Sequence, residues 1–388
     1  MTLFIEMMMV MKRVDNIFDE MISMDNLHEA MLMASKHKLD HKGVKDFVDN
    51  EEEELQSLHD DLVNGTYVMG KYHEFYVFDP KKRLIMALPF RDRVAQWAIY
   101  RVINPIFDKR FIDTSYACRK GKGLHAAISD TRRMAHNMSI SNKEVYFLKL
   151  DISKYFYRID HTILEALIRR VIKDERVLDL LSYIINNDSR PFGMEMIDSV
   201  PTGKRIYGVG IPIGNLTSQM FANIYLNALD EYCKHMLSAK RYIRYMDDIV
   251  ILDRSKKVLH FYREEITEFL ATRLKLVLNR KTEVSNLRKG IGFCGYIIYG
   301  EYIKVRHCTL RKMWNKIHSL RSQYIKGYIT DEYVAQSVAS YYGTLVRASA
   351  YYVRREVFGP SAKPNKDMIH HILLSLYYEM ESTSFWVD

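Results

Sequence analysis

Arg241-Tyr-Ile-Arg-Tyr-Met-Asp-Asp-Ile-Val-Ile-Leu-Asp253 sets two adjacent carboxylates, Asp247 and Asp248, between two β-favouring runs. Ile249 to Leu252 is wholly apolar and reads as a buried strand, with the acidic pair at its start, where a hairpin reverses the chain. Like charges at the edge of a buried strand repel and resist desolvation, so the pair costs stability unless a cation shares the site. Magnesium commonly fills that role where phosphoryl groups are transferred. A lone Asp-Asp pair is more often a solvated turn, so the surrounding chain has to decide.

Upstream, Val145 to Ile152 alternates, with Phe147, Lys149 and Asp151 on one face and Leu148, Leu150 and Ile152 on the other. The pattern predicts a strand ending in a carboxylate. A helix should follow, carrying Leu164, Leu167, Ile168, Val171 and Ile172. A hairpin or loop is expected over 187–210. The turn Ile211-Pro-Ile-Gly-Asn-Leu-Thr-Ser-Gln219 should open a helix whose core face is Phe221, Ile224, Tyr225, Ala228 and Tyr232. After the acidic hairpin come a helix near 256–273 and strands at Lys275–Asn279 and Gly292–Tyr299. Strands alternating with helices, with acids at strand ends, predict a sheet with one functional edge.

Farther out, residues 12–64 read as helical, with starts at Asn26 and Asn50 and the acids Glu51 to Glu54 in a first turn. Gly65 to Phe78 turns β-like, and Asp79-Pro-Lys-Lys-Arg83 is a cationic turn before the apolar Leu84 to Leu88. A helix is expected from Arg91 to about Asn104, where Pro105 should stop it. Ser115 to Gly123 is a basic, glycine-punctuated loop, and another helix is expected over Leu124 to His136. The last stretch reads as helices rich in Tyr, Lys and Arg, and His370-His371 as a helix-surface pair.

At 388 residues with 48% hydrophobic and 27% charged residues, the chain can bury a large core and wholesale disorder is excluded. A net charge of +9 favours a polyanionic partner. Cys118, Cys233, Cys294 and Cys308 lie far apart, which argues against a zinc site or a disulfide framework and fits a reducing cytoplasm. No run of 18 apolar residues predicts a membrane span. The methionine cluster before Lys12 points to a translation start near Met11, and Lys12 and Arg13 follow the apolar run, the wrong order for a signal peptide.

Asp151, Asp247 and Asp248 could together hold two magnesium ions roughly 3.5–4 Å apart, one acting on a primer 3′-hydroxyl and one on a triphosphate. Lys81, Lys82, Arg83 and Arg91 are available to neutralise phosphate charge. Phe156 is a candidate to exclude a 2′-hydroxyl by contact with the nucleotide sugar.

These segments, in this order, resemble the reverse transcriptases of bacterial retroelements over about residues 50–350. Tyr245-Met-Asp-Asp248 resembles the family's Tyr-x-Asp-Asp box, and Leu148-Lys-Leu-Asp-Ile-Ser-Lys-Tyr-Phe156 the strand with the first catalytic aspartate and the sugar-gate aromatic. Pro80-Lys-Lys-Arg83 through Phe90-Arg-Asp-Arg-Val-Ala-Gln96 is similar to the fingers segment, and Ser115-Tyr-Ala-Cys-Arg-Lys-Gly121 to the next block. Leu276-Val-Leu-Asn-Arg-Lys-Thr282 resembles the segment whose lysine donates a proton to pyrophosphate, and Gly292-Phe-Cys-Gly-Tyr296 the primer grip. Group II intron enzymes usually carry Gln-Gly-x-x-x-Ser-Pro before the helix. Ile213-Gly-Asn-Leu-Thr-Ser-Gln219 departs from that and looks like the enzymes of diversity-generating retroelements, as do Phe90–Gln96 and Ser340–Ser349.

The resemblance implies an α+β right-hand polymerase: fingers and a palm with an antiparallel sheet flanked by helices, plus a helical thumb. The expected boundaries are an N-terminal helical extension over 1–64, fingers over 65–145, palm over 146–186, a fingers/palm insertion over 187–217, palm again over 218–300, and thumb with C-terminal extension over 301–388. It implies Asp151, Asp247, Asp248 and Lys281 as catalytic residues and metal ligation by Asp151, Ile152, Asp247 and Asp248. Nucleotide binding falls to Lys82, Arg83, Arg91, Phe156, Ile213, Gly214 and Gln219, and the primer grip to Phe293, Gly295 and Tyr296. Two Mg2+ ions are implied, with Mn2+ as an alternative. The implied partners are an RNA template, the RNA/DNA hybrid, dNTP and a small basic accessory protein, in the cytoplasm and away from membranes. An aliphatic residue at 213 removes an amide that could hold the nucleotide, which implies error-prone copying. The alternative role is a free-standing or retron-like enzyme in anti-phage defence, copying a dedicated noncoding RNA.

Overall fold

A computed structural model describes residues 13–78, 82–141, 143–187, 190–197, 200–350 and 353. The expectations for Met11, Lys81 and His370-His371 fall outside these residues.

The chain opens on helices α1 (Phe18–Ile22), α2 (Met24–Ser35), α3 (Lys42–Asp49) and α4 (Glu51–Asn64). Ser23, rather than Asn26, caps α2, its side chain accepting from the Asn26 amide. Asn26 is instead buried, donating to the carbonyls of Met21 at 2.7 Å and Ala98 at 3.1 Å. Helix α4 starts after Asn50 as expected, with Glu51 to Glu54 at the positive end of its dipole and left-handed Gly65 closing it.

Strands β1 (His73–Val77) and β2 (Arg83–Ala87) pair antiparallel, with Phe75 opposite Ile85. Helix α5 (Phe90–Asp108) runs past Pro105, which was expected to end it. Proline deletes a single main-chain donor here, and the buried Ile103 and Phe107 hold the last turn in the core.

Helix α6 (Leu124–Ser139) and strand β3 (Tyr146–Asp151) form where the pattern predicts them, and a 3-10 turn follows at Tyr155–Tyr157. Two helices then stand where one was expected, α7 (His161–Arg169) and α8 (Glu175–Ile185). The break falls at Asp174, which caps α8 and accepts from the amides of Ile17 at 2.9 Å and Phe18 at 3.0 Å. The hairpin of β4 (Gly193–Ile197) and β5 (Val200–Ile206) occupies the 187–210 region.

Then come α9 (Leu216–Glu231), a π-helical turn at Tyr232–Met236, β6 (Tyr242–Tyr245), β7 (Asp248–Asp253) and α10 (Lys256–Arg273). Lys275–Asn279 is not the expected strand. Lys275 turns left-handed at φ 49 and pairs with Asp160 at 2.7 Å, so the segment makes a single bridge, Leu278 to Ile152. After it come β8 (Glu283–Asn286), β9 (Ile291–Phe293), β10 (Tyr296–Ile298), β11 (Ile303–Val305), α11 (His307–Ile325) and α12 (Asp331–Val346).

A four-stranded sheet in the order β6-β7-β3-β8 sets the acidic hairpin next to the strand ending in Asp151. With its paired antiparallel strands and flanking helices, the fold is α+β, as expected. The chain divides into two compact units. One comprises Met1–Gly123, Leu150–Ile249 and His260–Glu283, the other Leu124–Lys149, Val250–Leu259 and Val284–Asp388. Among the described residues no helix is long and apolar enough to cross a membrane.

Candidate active site

The site is built on the hairpin of β6 and β7. Its turn is two residues long, Met246 and Asp247, and Asp248 opens β7. Met246 adopts φ 56, a left-handed conformation that a side chain with a Cβ resists. Next to β7, β3 delivers Asp151.

Burial pushes the Asp247 carboxyl up to about 6, with repulsion from Asp151 and Asp248 adding to the shift. Its own amide and the Arg83 guanidinium pull the other way. Asp151, Asp247, Asp248 and Arg83 therefore share one electrostatic neighbourhood within the first unit.

Among the described residues, no three His, Cys, Asp or Glu side chains close into a metal cage. The predicted metal set is thus three mutually repelling carboxylates rather than a preformed coordination sphere. The donor set still fits magnesium, which takes oxygen ligands, retains several waters and needs only one or two carboxylates. A divalent cation also supplies the compensation that the raised Asp247 carboxyl lacks. Ile152, expected to lend its carbonyl, is buried beside Asp151 and bridges Leu278.

The predicted nucleotide-binding residues divide. Arg83 is exposed at the start of β2 and acts on Asp247. Lys82 is exposed, with its ammonium 4.2 Å from the Tyr76 ring centroid. Arg91 is drawn elsewhere: it bonds Asp61 at 2.6 Å and the Ser57 carbonyl at 3.3 Å, tying α5 to α4. Phe156 is half-buried, and its carbonyl accepts from the Ile211 amide at 2.8 Å, which joins the 3-10 turn to the Ile213 loop.

Ile213, like Tyr72 and Tyr157, packs against the buried cluster of Leu84, Met86 and Phe192, and its carbonyl accepts from the Met86 amide at 2.9 Å. The loop therefore lies against β2, the strand bearing Arg83. Gly214 takes φ 125, and a Cβ there would lie 3.0 Å from Ile85 Cγ2 and 3.1 Å from the Met86 carbonyl oxygen. Gln219 is exposed on the first turn of α9. That helix has no side-chain cap of its own. Gln96 of α5 accepts from the Leu216 amide at 3.1 Å, so the Phe90–Gln96 segment supports this turn directly.

Lys281 is exposed, two residues beyond Asn279, whose amide donates to the Asp151 carbonyl. The expected primer-grip residues belong to the second unit. Phe293 and Tyr296 are buried there, and Cys294-Gly295 forms a two-residue turn with both φ values positive, as a hairpin twist requires. The two aromatic side chains are buried, while Cys294 in the turn is partly exposed.

Sequence reading missed Arg244 and Asp230, which form an ion pair at 2.6 Å with both side chains fully buried. The signal was present: a charged residue inside the apolar run Tyr242-Ile-Arg-Tyr245 demands a buried partner.

Comparison with known proteins bears on this arrangement. A family model described as reverse transcriptase (RNA-dependent DNA polymerase) matches residues 78–298. Protein YkfC of Escherichia coli is 27% identical over 320 residues, covering 72% of this chain and 81% of YkfC. The group II intron-encoded protein LtrA of Lactococcus lactis is 26% identical over 184 residues, covering 47% of this chain and 28% of LtrA. The chain thus spans most of the first relative and little more than a quarter of the second. A telomerase structure from Candida albicans aligns with a TM-score of 0.41 at 14% identity, over 61% of this chain and 45% of that one. With the acidic hairpin, the Asp151 strand and Arg83 all inside the matched stretch, which is more than half of its length, the chain belongs to the reverse transcriptase (RNA-dependent DNA polymerase) family.

Proposed function

We propose that this chain copies a retroelement template RNA into cDNA by two-metal nucleotidyl transfer, error-prone and in the service of a diversity-generating retroelement. The observation that carries the polymerase reading is the common electrostatic environment of Asp151, Asp247, Asp248 and Arg83. In this reading Asp151, Asp247, Asp248 and the Ile152 carbonyl hold the divalent ions. Bound there, Mg2+ supplies charge stabilisation at the attacking and leaving oxygens. Arg83 and Lys82 neutralise the triphosphate, Phe156 borders the sugar, and Lys281 donates a proton to the leaving group. The hairpin β1–β2 belongs to fingers, the four-stranded sheet to palm, and α11 and α12 to thumb. Template RNA and the RNA/DNA hybrid are held mainly through their phosphates.

Support for the error-prone role comes from Ile213. Its aliphatic side chain belongs to an apolar cluster, where an amide would have to bury polar atoms. Loss of a hydrogen bond that enforces geometry relaxes discrimination by roughly 1–3 kcal/mol. Two experiments test the proposal. Asp247→Asn should abolish primer extension while leaving RNA binding near wild type, and extension at the wild-type rate would overturn the site. Sequencing the RNA and cDNA that copurify with the chain should show a template repeat copied with frequent misincorporation. A dedicated noncoding RNA copied faithfully would indicate the defence role instead.

A further inference from the structure

Arg244 makes more contacts than an ion pair needs. Its Nε donates to Asp230 Oδ1 at 2.7 Å, its Nη2 to Asp230 Oδ2 at 2.6 Å and its Nη1 to Asn223 Oδ1 at 3.1 Å. The same Nη1 donates to the main-chain carbonyl of Met246 at 3.2 Å. Asp230 also accepts from the Tyr242 hydroxyl at 2.6 Å, and Asn223 donates to the Ala117 carbonyl at 2.8 Å. The Arg244 backbone is fixed as well, by the Thr114 carbonyl at 2.9 Å and the Tyr116 amide at 3.0 Å. Every partner lies in the first unit.

Such a pair is not explained by stability. Removing both charges from water is costly, and apolar replacements of similar volume are often as stable or more so. What the guanidinium does hold is the peptide joining Met246 to Asp247. That peptide follows a residue at φ 56, which L side chains rarely adopt, so the turn is held against a local backbone preference. The Met246 carbonyl is the last main-chain group before Asp247, so holding it fixes the turn from which Asp247 and Asp248 project. The hydrogen bond from Nη1 anchors that turn, and Asp230 and Asn223 prevent the guanidinium from turning away.

We propose that Arg244, clamped by Asp230 and Asn223, is a positioning residue that locks the Met246–Asp247 peptide so that Asp247 and Asp248 face a divalent cation together. The inference rests on reading those aspartates as the cation-binding pair.

The test replaces the whole ion pair, Arg244→Met with Asp230→Leu, so that no buried charge is left alone. Three quantities are measured: the melting temperature, Mn2+ affinity of the free protein by electron paramagnetic resonance titration, and single-turnover incorporation. The double variant should melt near the wild-type temperature, bind Mn2+ about tenfold or more weakly and incorporate about a hundredfold more slowly, the range seen when a residue orienting metal ligands is lost. A stable double variant with wild-type Mn2+ affinity and rate would overturn the inference. Should the double variant not fold, Arg244→Lys decides with the same measurements, because an ammonium can keep the charge beside Asp230 but cannot fork to Met246. A Lys variant equal to wild type in both would overturn it. An active Asp247→Asn would instead overturn the reading of the site, so the two failures are distinguishable.

Discussion

The amide of Asn279 donates to the main-chain carbonyl of Asp151 at 2.7 Å, fastening the segment after α10 to the end of the strand that carries the first aspartate. Asn279 then uses its side chain to accept from the Lys281 amide at 3.1 Å, so Lys281 is held in a tight turn two residues from that junction.

If the Lys281 ammonium protonates the leaving pyrophosphate, Lys281→Ala should slow chemistry by roughly a hundredfold, the lower range for a general acid. Nucleotide KM and RNA affinity should stay near wild type, since the turn is built from backbone and Asn279 atoms. Single-turnover primer extension measures this, and a loss of less than about threefold removes the lysine from the proton path.

The Asp247 carboxyl gives a prediction with a definite sign. Its value near 6 in the folded chain lies above the ordinary 3.8, so folding favours the protonated form. That contribution is complete below 3.8 and is lost as pH rises through about 6. At neutral pH the ionised group therefore burdens the metal-free fold. Asp247→Asn should stabilise the metal-free protein there by about 1–2 kcal/mol, discounted because solvent reaches the half-buried side chain, and should do little in acid. Added Mg2+ should shrink the gain by stabilising only the wild type. Thermal melts at the two pH values with and without Mg2+ decide it; a variant less stable than wild type at neutral pH contradicts the burial account.

Much of this was legible from residue order. The alternation before Asp151 and the apolar run after Asp248 depend on local pleat geometry, which a sequence displays directly. Pro105 misled because its effect on a helix depends on what the last turn packs against, and Phe107 is buried only in the folded chain. Asp174 was invisible as a helix break because half of its role is to bind the amides of Ile17 and Phe18, far away in sequence. The Arg244 clamp shares that difficulty: Thr114, Ala117, Asn223 and Asp230 meet only after the sheet and α9 have assembled.

Arg83 and Arg91 looked equivalent as phosphate ligands and should separate in kinetics. Arg83 is exposed and influences Asp247, whereas Arg91 is occupied by Asp61 and the Ser57 carbonyl. Arg83→Ala should raise the dNTP KM about tenfold, the loss of one charge-assisted phosphate contact. Arg91→Ala should leave KM unchanged and lower the melting temperature, because it releases α4 from α5. Steady-state incorporation with both variants tests the division, and a KM increase in Arg91→Ala matching that of Arg83→Ala would return Arg91 to the nucleotide site.

Gly214 joins the Ile213 loop to β2 under a steric constraint. At φ 125 an alanine pays for a backbone conformation that its Cβ opposes, and that Cβ would lie 3.0 Å from Ile85 Cγ2 and 3.1 Å from the Met86 carbonyl oxygen. The loop or β2 must give by a few tenths of an ångström, which strains the 2.9 Å bond from the Met86 amide to the Ile213 carbonyl. Gly214→Ala should therefore destabilise the chain by roughly 1–3 kcal/mol, the scale of a strained backbone position. Exchange of the Met86 amide with solvent should speed up in the same variant, while amides in α2 keep wild-type rates. Because β2 also carries Arg83, nucleotide KM should rise with the loosening of the loop. Unchanged Met86 exchange in a destabilised variant would mean that the strain is absorbed within the loop, and that Ile213 and Gly214 are not anchored through β2.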